Sequence, residues 1–229
     1  MKQMVEENKI DTELTQAEEP AIANDSSWQT RLSRALSWVL HPFVVPLYVM
    51  AFMLLTDGFL SRLPASVKNY LAWVVMIYAA IVPMLSIGFM RVLGLLKNLG
   101  LHTQRSRLLP LMVGVISYLL CAITLSDLAI AGLVRKFVVA AACCEMLALL
   151  VTPFWKISLH LICMGGVTAM FTLLSVAGTG LHFWALVVAI LLSGALASAR
   201  LHLGSHNPWQ VTAGYFGGLA VAMLAMIYL

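Results

Sequence analysis

The chain has 229 residues, of which 61% are hydrophobic and only 10% charged. Soluble domains carry about 25% charged residues, because polar groups must cover their surface; this composition excludes such a domain and requires a membrane. The formal net charge of +4 comes from scattered Lys and Arg with no shared polar face, which excludes a nucleic-acid partner.

Residues 1–34 hold seven of the ten acids, Glu6, Glu7, Asp11, Glu13, Glu18, Glu19 and Asp25, and no apolar run. Low hydrophobicity with dense like charge predicts a disordered acidic tail, not a signal peptide. Residues 35–229 form the predicted membrane domain. Lipid offers no partner to backbone N–H and C=O groups, so each span must be a helix of roughly 20 residues. Seven are predicted, over 35–56, 69–94, 108–126, 136–154, 157–178, 182–199 and 208–228, an all-α polytopic bundle. Trp38, Trp73, Trp155, Trp184 and Trp209 fall near the predicted ends, where amphipathic rings favour the headgroup level. Pro42, Pro46 and Pro83 lie inside runs and predict kinks.

Gly214 and Gly218 form a GxxxG pattern in the last span, with Gly217 beside them, and Gly165-Gly166 lie early in the fifth. Small residues let helix backbones approach, so the fifth and seventh spans are predicted to pack closely. Cys121, Cys143, Cys144 and Cys163 sit in apolar runs without C-x-x-C spacing and read as small buried hydrophobes.

Seven spans impose a geometric consequence. The connections after the second, fourth and sixth must open on one membrane face, and these hold 97–107, 156–160 and 200–210. The opposite connections, 57–68, 127–136 and 179–181, hold no comparable polar cluster. Lys and Arg counts place the cluster face inside, but several of these cations have a chemical use of their own, so sidedness stays open.

Polar and ionisable groups near lipid are costly and mark function by default. In Lys156-Ile-Ser158-Leu-His160, free N–H groups at a helix start favour an anion; Lys156 adds charge, Ser158 a donor and His160 a group that titrates near neutrality. An interfacial anchor followed by helix-packing residues is the plain structural alternative. In Arg200-Leu-His-Leu-Gly-Ser-His206-Asn-Pro-Trp-Gln210, Pro208 suits a first helical turn, so His206 lies in a tight polar hairpin. Gln210 stands four residues on, able to accept the His206 Nδ1 proton and leave Nε2 free. In Gln104-Arg105-Ser106-Arg107 before Pro110, the arginines serve either as topology determinants or as bidentate phosphate clamps.

These segments resemble the type 2 phosphatidic acid phosphatases and their vanadium haloperoxidase relatives, whose blocks are Lys-x6-Arg-Pro, Pro-Ser-Gly-His and Ser-Arg-x5-His-x3-Asp. Ile157-Ser158-Leu159-His160 is similar to the second block, and Ala199-Arg200-x5-His206-x3-Gln210 to the third, with both spacings kept. Arg105 or Arg107 with Pro110 is a looser counterpart of the first, without the spaced lysine. The likeness covers about 95–229. It implies a haloperoxidase-like helical core, and a lipid-phosphate phosphatase or phosphotransferase in a bacterial inner membrane. Its substrate would be a prenyl diphosphate, phosphatidate, phosphatidylglycerol phosphate or lipid A-type molecule. His206 would form a phosphohistidine, and His160 would protonate the leaving oxygen and then activate water. Arg200, Arg105 or Arg107, Ser158 and an assisting Lys156 would hold the phosphoryl oxygens. No metal or cofactor is expected.

Gln210 departs from the family's Asp, and a neutral amide cannot stabilise an imidazolium by charge. The alternative is therefore a catalytically dead relative that binds lipid phosphate or scaffolds a membrane complex. A haem or transport protein using His41, His102, His160, His182, His202 and His206 is a third class, disfavoured because most of these residues lie near span ends.

Overall fold

The computed structural model describes residues 27–94, 107–178 and 180–229. Among them every regular element is a helix: α1 (Trp28–Val39), α2 (Val45–Thr56), α3 (Ala65–Val92), α4 (Leu108–Thr124), α5 (Gly132–Val151), α6 (Leu159–Val176), α7 (Gly180–His202) and α8 (Pro208–Tyr228). Four of them, α3, α6, α7 and α8, are long and apolar enough to cross a membrane, as the composition demands. α2 has 12 residues and α4 has 17, so at 1.5 Å per residue both fall short of a hydrocarbon core of about 30 Å. α5 has 20 residues but carries Arg135, Lys136 and Glu145.

The first predicted span, 35–56, is not one helix. It breaks between α1 and α2 at Leu40–Val44, because Pro42 has no N–H to donate and disfavours helical backbone at His41. The tail ends earlier than predicted. Residues 28–34 are the first two turns of α1, started by Ser27, whose Oγ accepts from the Thr30 N–H at 3.2 Å. α1 turns small hydroxyls inward, with Thr30, Ser33 and Ser37 buried, and exposes Trp28, Leu32 and Trp38. It packs on α7, where Thr30 Oγ1 lies 3.1 Å from His202 Nε2. The rest of the acidic tail, 1–26, lies outside the described residues.

α3 passes Pro83 through a π-helical turn over Ile77–Ile81, a common response to a lost ladder bond. The Ser117 hydroxyl of α4 donates to the Tyr78 carbonyl within that turn. α5 starts before its predicted position and takes Arg135 and Lys136 into its first two turns. Lys136 Nζ donates to the Met226 carbonyl at 3.0 Å, a cation at the negative end of α8.

The tightest packing joins α6 to α8. A Cβ at Gly165 would overlap the Tyr215 carbonyl oxygen, and one at Gly218 the Ile162 carbonyl oxygen. Glycine is required at both, as the small-residue pattern predicted. This contact fixes the start of α6 against the start of α8, and both polar clusters lie there. Cys121 and Cys144 are buried and Cys143 and Cys163 part-buried, all free thiols.

Candidate functional site

Asn207 and Gln210 build the first half of the site. Asn207 caps α8: its Oδ1 accepts from the Gln210 N–H at 2.9 Å, while Gln210 Oε1 accepts from the Asn207 N–H at 3.2 Å. This reciprocal capping box fixes the Gln210 amide with its oxygen toward the hairpin. The same Oε1 lies 3.2 Å from His206 Nδ1, and the Lys156 carbonyl lies 3.3 Å from that nitrogen. Two oxygens that can only accept face Nδ1, so Nδ1 carries the proton and Nε2 keeps its lone pair. The sequence-predicted orientation of His206 by Gln210 is present.

The second half comes from α6. The Ser158 N–H donates to the Gln210 carbonyl at 3.4 Å, tying the two polar segments directly. Ser158 is fully buried, and its Oγ has no hydrogen-bond partner among the described residues. His160 sits in the first turn of α6 and is close enough to His206 and Arg200 for their charges to act on it. Its Nε2 lies 3.1 Å from the Ser37 carbonyl of α1 and so donates there, leaving Nδ1 for other chemistry.

Arg200, in the last turn of α7, ties the cluster together. Its charge reaches His41, Lys156, His160 and His206, and its buried Nε has no partner among the described residues. Burial and then the Arg200 charge push the His206 imidazole down to about 4, only partly offset by its hydrogen bond to Gln210. Lys156 is lowered by burial, then by Arg107 and Arg200. Arg107 is exposed at the start of α4 and belongs to the same cationic field. Arg105 lies outside the described residues, as do Lys97, His102 and Gln104.

The described residues hold three carboxylates, Asp57, Asp127 and Glu145. Asp57 closes the turn after α2, where its Oδ1 accepts from Phe59 and Leu60 N–H groups, and Asp127 follows α4. Both stand at the far ends of helices that start on the cluster side, and Glu145 lies within α5. Arg107, Lys156 and Arg200 thus form a positive field that no described carboxylate on this side neutralises, which suits an anion.

Beside the cluster a cavity of about 540 Å³ opens between α3, α4, α5, α6 and α8. Arg107, His41 and His160 line one part, and Tyr118, Phe137 and Met226 another. Ser158, His206, Arg200 and Lys156 are not on its wall; they adjoin it through His160 and Arg107. A charged mouth with an apolar interior fits an amphiphile whose anionic group stays at the edge.

Sequence reasoning named His41 only among possible haem ligands and did not place it beside His160. The Pro42 break presents the His41 ring edge-on to His160, with centroids 5.5 Å apart. A proline after a histidine inside an apolar run was the available signal. Glu145 and Tyr118 were missed as well, since neither lies near a span end. Compared with known proteins, the chain matches no family model, no curated protein and no solved structure.

Proposed function

We propose that the protein is a membrane lipid-phosphate phosphatase or phosphotransferase acting through a phosphohistidine at His206, in a bundle of seven spans with a core like that of the type 2 phosphatidic acid phosphatases. The α1–α2 pair would make the first crossing. The observation that carries this reading is the His206 environment: Nδ1 held by two acceptors, Nε2 left with a lone pair, and Arg200 and Lys156 within electrostatic reach.

In this reading the Nε2 lone pair attacks phosphorus as the bond from phosphorus to the lipid oxygen breaks. His160, protonated at Nδ1 once the anionic phosphate of the substrate offsets the Arg200 charge, gives that proton to the oxygen, since its Nε2 is engaged with Ser37. Water then attacks the phosphohistidine, His160 takes its proton, and Nε2 recovers its electron pair. Arg200, Lys156 and Arg107 offset charge on the equatorial oxygens, and the unsatisfied Ser158 hydroxyl donates to one of them.

A second reading is favoured by one observation. Gln210 brings no charge to His206, so nothing stabilises an imidazolium there, and the chain would bind lipid phosphate without turning it over. Phosphate release from a panel of prenyl diphosphate, phosphatidate, phosphatidylglycerol phosphate and lipid A-type substrates in vesicles separates the two. The enzyme reading expects release by the wild type, loss in His206→Ala and His160→Ala, and gain in Gln210→Asp. Absence of release by the wild type with retained lipid-phosphate binding supports the binder.

A further inference from the structure

Glu145 has no part in the chemistry above, yet it lines the cavity. It lies six residues before the end of α5 at Val151, hence about 9 Å below the cluster side of the bundle. Its Oε2 is enclosed and has no hydrogen-bond partner among the described residues. Its Oε1 fills the space that a Cβ at Gly114 would need, so α4 carries a glycine where the carboxyl is seated. Tyr118, one turn further along α4, lies within electrostatic reach of Glu145 and on the same cavity wall. A carboxyl among apolar walls is costly unless something pairs with it.

The cavity also runs deep. Met226 lines it eighteen residues along α8 from Pro208, about 27 Å down the helix. A long hydrocarbon chain therefore fits along it, with its phosphate among Arg107, His160 and the cationic cluster. We infer that Glu145 is a selectivity contact for that chain: it accepts a hydrogen bond from a hydroxyl or amide N–H that the lipid carries about one helix turn or two below its phosphate. The favoured substrate class is then hydroxylated or amide-linked lipid phosphates, in preference to plain prenyl or dialkyl phosphates. This inference rests on the lipid-phosphate reading of the site.

The test is equilibrium binding to purified full-length protein in vesicles of neutral lipid. The probes are an amide-bearing sphingolipid 1-phosphate, its analogue methylated at both the amide nitrogen and the chain hydroxyl, a dialkyl phosphate of equal chain length, and the amide lipid without phosphate. The wild type is expected to prefer the amide lipid phosphate over the other two phosphates by about tenfold. Glu145→Leu should erase that preference, read as the ratio of amide to dialkyl affinity, while Glu145→Gln, which keeps an acceptor oxygen, should retain it. The comparison of the amide lipid with its doubly methylated analogue uses the wild type alone and does not depend on how any variant folds. Phosphate-dependent binding with equal affinities for all three phosphates overturns the inference and leaves the lipid-phosphate reading standing. Binding that ignores the phosphate overturns both.

Discussion

Replacing Gly218 by Ala tests the link from helix packing to site geometry. A Cβ there falls inside contact distance of the Ile162 carbonyl oxygen, carbon and Cα, all backbone atoms that cannot rotate away. α6 and α8 must part by about 1 Å to restore van der Waals distance. Overpacking of this kind costs about 1–3 kcal/mol. The displacement also carries Ser158 and His160 away from Gln210 and His206, and it breaks the 3.4 Å bond between Ser158 N and the Gln210 carbonyl. A 1 Å misplacement in an active site can lower turnover by about 10²-fold. The control is Gly194→Ala in α7, where nothing lies within 4 Å of the added methyl; Ala in a helix interior gains about 0.5–1 kcal/mol over Gly. Thermal unfolding in one detergent and phosphate release are measured on both variants. Gly218→Ala should melt earlier and lose most activity, and Gly194→Ala should do neither. Wild-type melting and turnover in Gly218→Ala would refute the claim that this contact sets the site.

Other outcomes follow from the site. Ser158→Ala removes a buried hydroxyl that has no partner among the described residues, so stability should hold or rise while phosphate affinity falls about fivefold, roughly 1 kcal/mol; a destabilised variant with unchanged affinity contradicts its role. The His206 ring, followed by NMR, should titrate near 4, and Arg200→Gln should move that midpoint up toward the ordinary value near 6.5. Because the folded pKa lies below the unfolded one, the His206 contribution to stability is complete above about pH 6.5 and is lost as pH falls toward 4. A melting temperature that rises across that window on acidification, in the wild type but not in His206→Ala, contradicts the assignment. Gln210→Asp places a carboxylate beside Nδ1, which should raise the His206 pKa by one unit or more and increase phosphate release.

Much of the site was legible because it depends on short-range spacing. His206 and Gln210 meet across one helical turn, and Pro208 marks where that turn begins. The close approach of α6 and α8 was visible in Gly165, Gly214 and Gly218. What escaped depended on tertiary placement. The run 35–56 is predominantly apolar, so hydropathy joined two helices that Pro42 separates, and His41 was named only among possible haem ligands. The polar composition of 28–34 hid a helix whose hydroxyls face inward against α7. Glu145, an ionisable residue inside a predicted span, was a signal left unused; its seat against Gly114 on another helix was not legible in one dimension.

The most direct test of the central claim is to quench the wild-type protein during turnover of a lipid phosphate and locate the acid-labile phosphoryl group by mass spectrometry. The account predicts phosphate on the His206 imidazole in the wild type, absent in His206→Ala. Turnover by the wild type with no phosphohistidine at His206 would contradict it.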